Sequence, residues 1–191
     1  MSLILGSSSK TRQMLLNRLG IPFTTIPPEI DETPYEFEKP IEHVKRLAKE
    51  KSSAVRRNSN PNDIIITSDQ VMLLDNEIIS KPKDTEDAIQ QILACSGKTI
   101  TFYTSLLVTN DHYGVEPEAI LTSVKYRTYD IKSAQRYVER EYTLNAAGSI
   151  HCEGLGISLL DSITSDDPTA ILGLPLISVC NHLRRLGILD I

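Results

Sequence analysis

The sequence predicts a mixed α/β fold, because short apolar runs alternate with amphipathic helical patterns along the chain. Residues 3–6 (LILG) are typical of a strand, which leads through a serine turn into apolar residues at helical spacing that end at Gly20. Residues 64–66 are three consecutive isoleucines, a pattern typical of a strand buried on both faces. No repeat, low-complexity tract or flexible linker divides the 191 residues, so we expect one domain.

The remaining elements follow in order from local patterns. Residues 22–28 are a candidate second strand, and the stretch 27–40 (PPEIDETPYEFEKP) is typical of an irregular loop. A helix is expected from about Ile41. After the isoleucine strand, we expect a hairpin that turns at Asp75-Asn76 and a helix that is capped by Asp84 or Thr85 and ends at Gly97. Strands are then expected at 99–110, 119–129 and 156–164, with a helix at 133–141. The final helix is expected at 175–187, and its inward residues are Leu176, Ile177, Val179, Cys180 and Leu183.

Composition narrows the class of protein. The longest apolar runs fall well short of the roughly 20 residues that span a bilayer, and the first residues lack the basic segment of a secretory signal. The three cysteines, Cys95, Cys152 and Cys180, are too few and too far apart for a disulfide framework. A net charge of -5 argues against long nucleic acids as partners. We therefore expect a cytoplasmic protein with no membrane and no long nucleic-acid partner.

Polar residues follow apolar segments at four places, and each has a structural interpretation. The places are GSSSKTRQ (6–13), EIDE (29–32), RLAKEKS (46–52), and the pair TSDQ (67–70) and SKP (80–82). Read separately, the serines would cap a helix, the loop acids would be solvated, and Lys49 and Lys51 would lie on an exposed helix face. Asp69 would be a turn residue and Lys81 a loop lysine.

Read together, the four stretches indicate phosphate chemistry. A Gly-Ser turn before a helix is a natural anion site. Arg12, Lys51 and Lys81 would add positive charge. Glu32 and Asp69 are hard oxygen ligands of the kind that Mg²⁺ or Mn²⁺ takes alongside substrate phosphates. The turn lacks the second glycine of a Walker P-loop, so the pattern predicts phosphoanhydride chemistry outside the ordinary P-loop class.

Ordered motifs run along almost the whole chain: LILGSSS-x-x-R, EIDET, LAKEKS, ITSDQV followed by SKP, SGK with TFYTS, AAGSIHCEGLG and LGLPL. As an ordered set they resemble the Maf-like nucleoside triphosphate pyrophosphatases. ITSDQV with HCEGLG resembles most the branch that acts on 7-methyl-GTP. The resemblance implies a single ITPase-like domain over residues 1–191, with a mixed, curved sheet flanked by helices and a cleft between two lobes. It also implies hydrolysis of a modified nucleoside triphosphate to the monophosphate and pyrophosphate with Mg²⁺ or Mn²⁺, which removes non-standard nucleotides.

The resemblance also implies roles for single residues. Asp69 is the expected proton acceptor, since the end of a buried strand holds a base rigidly near the attacking water. Asp69 and Glu32 are the expected metal ligands. The residues expected to bind the phosphates are Ser7, Arg12, Lys51 and Lys81, and those expected to set base preference are Thr11, Gln70 and Glu153.

The first loop departs from the family pattern. Members usually have Ser-Pro, a variable residue and two arginines where this chain has Ser9-Lys10-Thr11-Arg12-Gln13. In the methylated-guanine branch a large aromatic that stacks on a cationic base is typical at the place of Thr11. The departure bears on base preference more than on catalysis.

Other interpretations remain open at the sequence level. Glu153 is also readable as a loop acid, while a metal site at His151-Cys152 is disfavoured because adjacent strand residues point to opposite faces. The competing functions are a nucleotide-binding regulator of cell division or septum formation and a generic phosphatase that releases orthophosphate. A homodimer is compatible with the sequence.

Overall fold

The computed structural model describes residues 1–191 and has an α/β fold, as predicted. The chain contains five α-helices and eight strands. The elements are β1 (Leu3–Leu5), α1 (Lys10–Asn17), β2 (Thr24–Thr25), α2 (Pro40–Arg56), β3 (Ile64–Thr67), β4 (Gln70–Leu74), β5 (Glu77–Ile79), α3 (Thr85–Cys95), β6 (Thr99–Thr109), β7 (Glu118–Tyr126), α4 (Ile131–Val138), β8 (Leu160–Ser165) and α5 (Leu176–Arg185). None of the helices is both long and apolar enough to cross a lipid bilayer.

The chain forms two compact units. The first contains Met1–Gln70, Tyr103–Ile120 and Asp167–Ile191, and the second contains Val71–Phe102 and Leu121–Asp166.

The first unit is built on a mixed sheet. Strand β1 is parallel to both β2 and β3, and β3 is antiparallel to β6. Because side chains alternate between the two faces of a strand, Leu3 and Leu5 lie in one apolar cluster with residues of α1 and α5, while Ile4 packs with Val55 of α2. All three isoleucines 64–66 are buried, so the predicted strand with two buried faces is confirmed.

The second unit contains two antiparallel pairs. Strands β4 and β5 form the predicted hairpin, and its two turn residues, Asp75 and Asn76, have φ values of 51° and 69°. Positive φ at both central positions is what a two-residue type I′ turn requires. Strand β7 pairs with β8, with Val124 opposite Ile163.

Three predicted elements need correction. The strand expected at 22–28 is reduced to Thr24–Thr25. The strand expected at 156–164 begins only at Leu160, because Leu155–Leu159 form a 3₁₀ turn in which Gly156 approaches the His151 carbonyl too closely for any Cβ. In α5, Ile177 is 50% exposed and His182 is buried instead, since Leu176, Val179 and Leu183 recur at the spacing of a single helix face.

Candidate active site

Asp69 lies in the two-residue connection between β3 and β4, and β6 fixes its main chain. The Asp69 N–H donates to Ser105 Oγ at 3.0 Å, and the Ser105 N–H donates to the Asp69 carbonyl at 2.8 Å. The Ser105 hydroxyl in turn donates to the Val44 carbonyl of α2 at 2.7 Å. Asp69 is buried, and its carboxylate accepts a hydrogen bond from Lys51, which is 18 positions away in the sequence. Asp69 therefore does more than a simple turn residue. A buried carboxylate is thus held rigidly at the end of the isoleucine strand.

Lys51 approaches this carboxylate from α2. Its Nζ lies 2.5 Å from Asp69 Oδ1 and 2.7 Å from Glu32 Oε1, and the residue is only 5% exposed. Lys51 lies on the buried face of α2 with Val44 and Val55, whereas the Lys49 side chain is 52% exposed. The exposed-face interpretation therefore applies to Lys49 and is wrong for Lys51.

Glu32 belongs to a loop that is anchored to α2 by charged groups. Glu38 accepts from Arg46 Nε at 2.6 Å and lies 2.9 Å from His43 Nδ1. The Arg46 guanidinium also lies over the ring of Tyr35, 3.8 Å from its centroid. Hydrogen bonds from Arg46 are the main reason that the pKa of Glu38 is lowered to about 2. The irregular loop that the sequence predicts is thus tied to the helix that carries Lys51.

Arg12 is held by the backbone of the segment before α5. Arg12 Nε donates to the Gly173 carbonyl at 2.8 Å, and Ser68 Oγ donates to the same oxygen at 2.8 Å. Burial is the main cause that lowers the pKa of Arg12, while the carboxylates of Asp69 and Glu32 act in the opposite direction. A guanidinium stays charged at neutral pH under such a change, so Arg12 is a fixed cation beside the two acids.

The serine turn combines a structural role with a candidate binding role. Ser9 is the N-cap of α1, because its hydroxyl accepts from the Arg12 N–H at 3.3 Å. Ser7 is buried, and its hydroxyl accepts from the Ser9 N–H at 3.1 Å. Thr11 lies in the first turn of α1 and is partly buried. The helix-cap interpretation is confirmed for Ser9.

Gln70 has its amide group fixed inside the first unit. Its Nε2 donates to Thr104 Oγ1 at 2.8 Å, to the Ala170 carbonyl at 2.9 Å and to the Ile171 carbonyl at 3.1 Å. Thr104 itself donates to the Ala170 carbonyl at 2.9 Å, so a flipped amide would set oxygen against oxygen. The N–H₂ group of Gln70 is therefore engaged in hydrogen bonds within the protein.

Sequence reasoning missed the residues that support the site. Ser105, Thr104 and Gly173 lie within the motifs TFYTS and LGLPL, whose patterns alone assign no role to these three residues. Asp167 was also missed, although it is buried and its Oδ2 accepts from the Ile177 N–H at 2.7 Å in the first turn of α5. Asp167 lies ten residues before Ile177, too far ahead of α5 for the N-cap signal that a sequence offers.

Lys81 and Glu153 belong to the second unit. Lys81 is exposed, follows β5 and makes no ion pair. Glu153 is exposed, and its Oε1 lies 3.6 Å from His151 Nδ1, which is the main reason that the pKa of His151 is raised. Burial raises the pKa of Cys152 to about 12, so its thiol is protonated at neutral pH and is a poor transition-metal ligand. The chain contains no group of three or more His, Cys, Asp or Glu side chains that fits a metal ion.

The structure thus brings Arg12, Glu32, Lys51 and Asp69 together within the first unit. In a comparison with known protein families, the family described as Maf-like protein matches residues 2–186. The chain belongs to the Maf-like family.

Curated relatives of this Maf-like chain match it over nearly their full length. Three of them bear the name 7-methyl-GTP pyrophosphatase. The protein from Vibrio parahaemolyticus is 41% identical, with 97% of this chain and 95% of the relative covered. The one from Aromatoleum aromaticum is 44% identical (98% and 96% covered), and the one from Bordetella pertussis is 43% identical (97% and 92% covered).

Proposed function

We propose that the protein is a nucleoside triphosphate pyrophosphatase that hydrolyses 7-methyl-GTP to its monophosphate and pyrophosphate. The observation that carries the proposal is the buried Asp69, whose main chain is held by Ser105 and whose carboxylate contacts Lys51 beside the cation Arg12. A rigid base next to fixed positive charge suits attack by water on a phosphoanhydride. The names of the Maf-like relatives support both the reaction and the substrate.

In the proposed reaction, Asp69 accepts a proton from water as the water oxygen attacks the α-phosphorus. The bond between the α-phosphorus and the α,β-bridging oxygen breaks, and the electron pair leaves with pyrophosphate. Arg12 and Lys51 bind phosphate oxygens and stabilise the charge that develops on them, with Ser7 and Lys81 as further phosphate ligands.

A divalent cation fits the donor set of the proposed site. Glu32 and Asp69 both direct a carboxylate oxygen at one cation, the Lys51 ammonium. Two carboxylates are what Mg²⁺ or Mn²⁺ takes from a protein when substrate phosphates and water complete the shell. When bound, such an ion supplies charge neutralisation for the triphosphate.

Base preference is assigned to Thr11, Gln70 and Glu153. Gln70 presents its carbonyl oxygen and Glu153 its carboxylate, and both accept hydrogen bonds from the N–H groups of a guanine edge.

We place the protein in the cytoplasm, because its three cysteines are free thiols. The whole chain, residues 1–191, acts as one Maf-like domain on a small nucleotide.

The test is product analysis with an isotopic label. The purified protein is supplied with Mg²⁺ or Mn²⁺ and with 7-methyl-GTP, GTP or UTP in H₂¹⁸O. We expect pyrophosphate and a monophosphate that carries the ¹⁸O, since the water attacks the α-phosphorus, and the fastest turnover with 7-methyl-GTP. Release of orthophosphate would instead indicate a generic phosphatase, and binding without turnover would indicate a regulator.

A further inference from the structure

The Lys51 ammonium occupies the place between the two carboxylates that would hold a divalent cation. Its Nζ contacts Glu32 Oε1 at 2.7 Å and Asp69 Oδ1 at 2.5 Å. Lys51 and Asp69 are both buried, whereas the Glu32 side chain is 56% exposed. A divalent ion bound by the same two oxygens would take the position of the ammonium, so the two cations exclude one another.

We infer that Lys51 is an internal cation that competes with the divalent metal, so that the metal binds well only together with the phosphates that receive the ammonium. This inference rests on the proposed function, because it concerns the metal and phosphates of that same site.

The charges at the site support this coupling. Glu32 and Asp69 contribute two negative charges, and Lys51 and Arg12 contribute two positive ones, so the group is balanced without a metal. A divalent ion alone would leave a partly buried site with excess positive charge, which is unfavourable in a medium of low dielectric constant. A metal that arrives with polyphosphate brings the compensating negative charge, and the phosphate oxygens accept from the displaced ammonium.

Removing the ammonium should therefore let the metal bind alone. In Lys51→Met the two carboxylates outnumber Arg12, and we expect Mn²⁺ without nucleotide to bind at least about 10-fold more tightly than in the wild type. Free Mn²⁺ is measured by electron paramagnetic resonance at fixed pH and ionic strength. Lys51→Arg keeps the charge and should keep the weak binding. Lys49→Met is the matched control, because it makes the same change on the exposed face of α2 and should leave Mn²⁺ affinity unaltered.

A second measurement uses the wild-type protein, so it does not depend on the folding of Lys51→Met. The ¹⁵N-ammonium resonance of Lys51, assigned by its loss in Lys51→Arg, is followed by NMR. We expect it to shift when Mg²⁺ is added together with an analogue of 7-methyl-GTP that has a methylene group in place of the α,β-bridging oxygen. An unmoved Lys51 resonance in the presence of bound metal and analogue overturns the inference.

The outcomes also separate this inference from the proposed function. Unchanged or weaker Mn²⁺ affinity in folded Lys51→Met refutes the competition even if the wild type releases pyrophosphate. Conversely, tighter Mn²⁺ binding in that variant supports the competition, and a wild type that releases no pyrophosphate then refutes the enzymatic proposal alone.

Discussion

At the residue scale, Asp69 combines burial with two independent supports. Ser105 holds its main chain on both sides of the residue, and Lys51 holds its carboxylate. The burial of an ionised carboxylate is tolerated because it is paired, and the pairing also fixes the direction of the oxygen atoms. Rigidity of this kind is expected of a base that must meet one water in one orientation.

Replacement of Asp69 by Asn tests this role. Asn keeps the size of the side chain and removes proton acceptance, so we expect a loss of ~10²-fold or more in the rate of pyrophosphate release. Circular dichroism and thermal melting check that the fold survives. Asp75→Asn is the control, since Asp75 is an exposed turn residue paired with Lys98 and should be replaceable without loss of rate. A near wild-type rate in Asp69→Asn would remove Asp69 from the mechanism.

At the element scale, the segment between β8 and α5 works as a scaffold of backbone carbonyls. Gly173 offers its oxygen to Arg12 and Ser68, and Ala170 offers its oxygen to Gln70. Asp167, near the β8 end of the segment, accepts a hydrogen bond from the Ile177 N–H in the first turn of α5 and so ties the two ends of the segment together. The segment thus orients three polar side chains through its main chain.

Gly173→Ala tests this scaffold against a matched control. Gly173 has a φ of 91°, and a Cβ there would lie 3.2 Å from Arg12 Nε. Gly187 has a φ of 68°, and a Cβ there would meet no other atom within 4 Å. Alanine at either site should destabilise the fold by about 1–2 kcal/mol through backbone strain. Only Gly173→Ala should also lower kcat/KM, by about 10-fold or more, because it displaces Arg12. Equal kcat/KM values in the two variants would contradict the scaffold role.

The loop that carries Glu32 gives a pH-dependent prediction. Arg46 lowers the pKa of Glu38 from its ordinary 4.5 to about 2. A carboxylate with a lowered pKa in the folded state stabilises the fold above its unfolded pKa, and this contribution is lost as the pH falls through the folded pKa. Glu38→Gln should therefore reduce the free energy of unfolding by about 1–3 kcal/mol at pH 7. The difference from the wild type should shrink as the pH falls from 4.5 towards about 2.

Urea unfolding at several pH values measures this difference. Glu116→Gln is the control, because the Glu116 side chain is 87% exposed and pairs with Lys49 at the surface. A Glu38→Gln effect that does not shrink at all in acid would show that the ionised form of Glu38 is not what stabilises the loop.

The elements that the sequence predicted correctly are those with local signals. The hairpin at Asp75-Asn76 and the helix cap, expected at Asp84 or Thr85 and found at Asp84, depend on neighbouring residues, so both could be predicted. The hydrogen bond between Arg12 and Gly173 joins residues 161 positions apart, so no local sequence pattern predicts it. The burial of Lys51 could not be predicted locally either, because a lysine on the buried face of a helix is tolerated only when carboxylates from elsewhere in the sequence pair with it.

At the scale of the whole molecule, we assign catalysis and base preference to different groups of residues. Of the groups proposed for phosphate chemistry, Lys51 and Asp69 are buried and ion-paired, whereas Gln70 is proposed to offer one amide oxygen to the base. In the branch that the sequence resembles, an aromatic residue that stacks on the base is expected at the place of Thr11, so hydrogen bonds should carry more of the preference in this chain. Loss of one hydrogen-bond acceptor should therefore change the ratio of kcat/KM between nucleotides more than it changes the rate of the hydrolysis step that all nucleotides share.

The last prediction concerns these acceptors. A pocket that hydrogen-bonds its correct base leaves buried polar groups unpaired with the wrong one, so discrimination is sensitive to each acceptor. Gln70→Ala and Glu153→Ala should each lower kcat/KM for 7-methyl-GTP by about 10-fold or more, and that for UTP far less, so that the ratio narrows. Gln90→Ala, which removes an exposed helical glutamine bonded to Glu86, should leave the ratio unaltered. Equal losses on both nucleotides would show that Gln70 and Glu153 serve catalysis or folding, and the preference for 7-methyl-GTP would then need other residues to explain it.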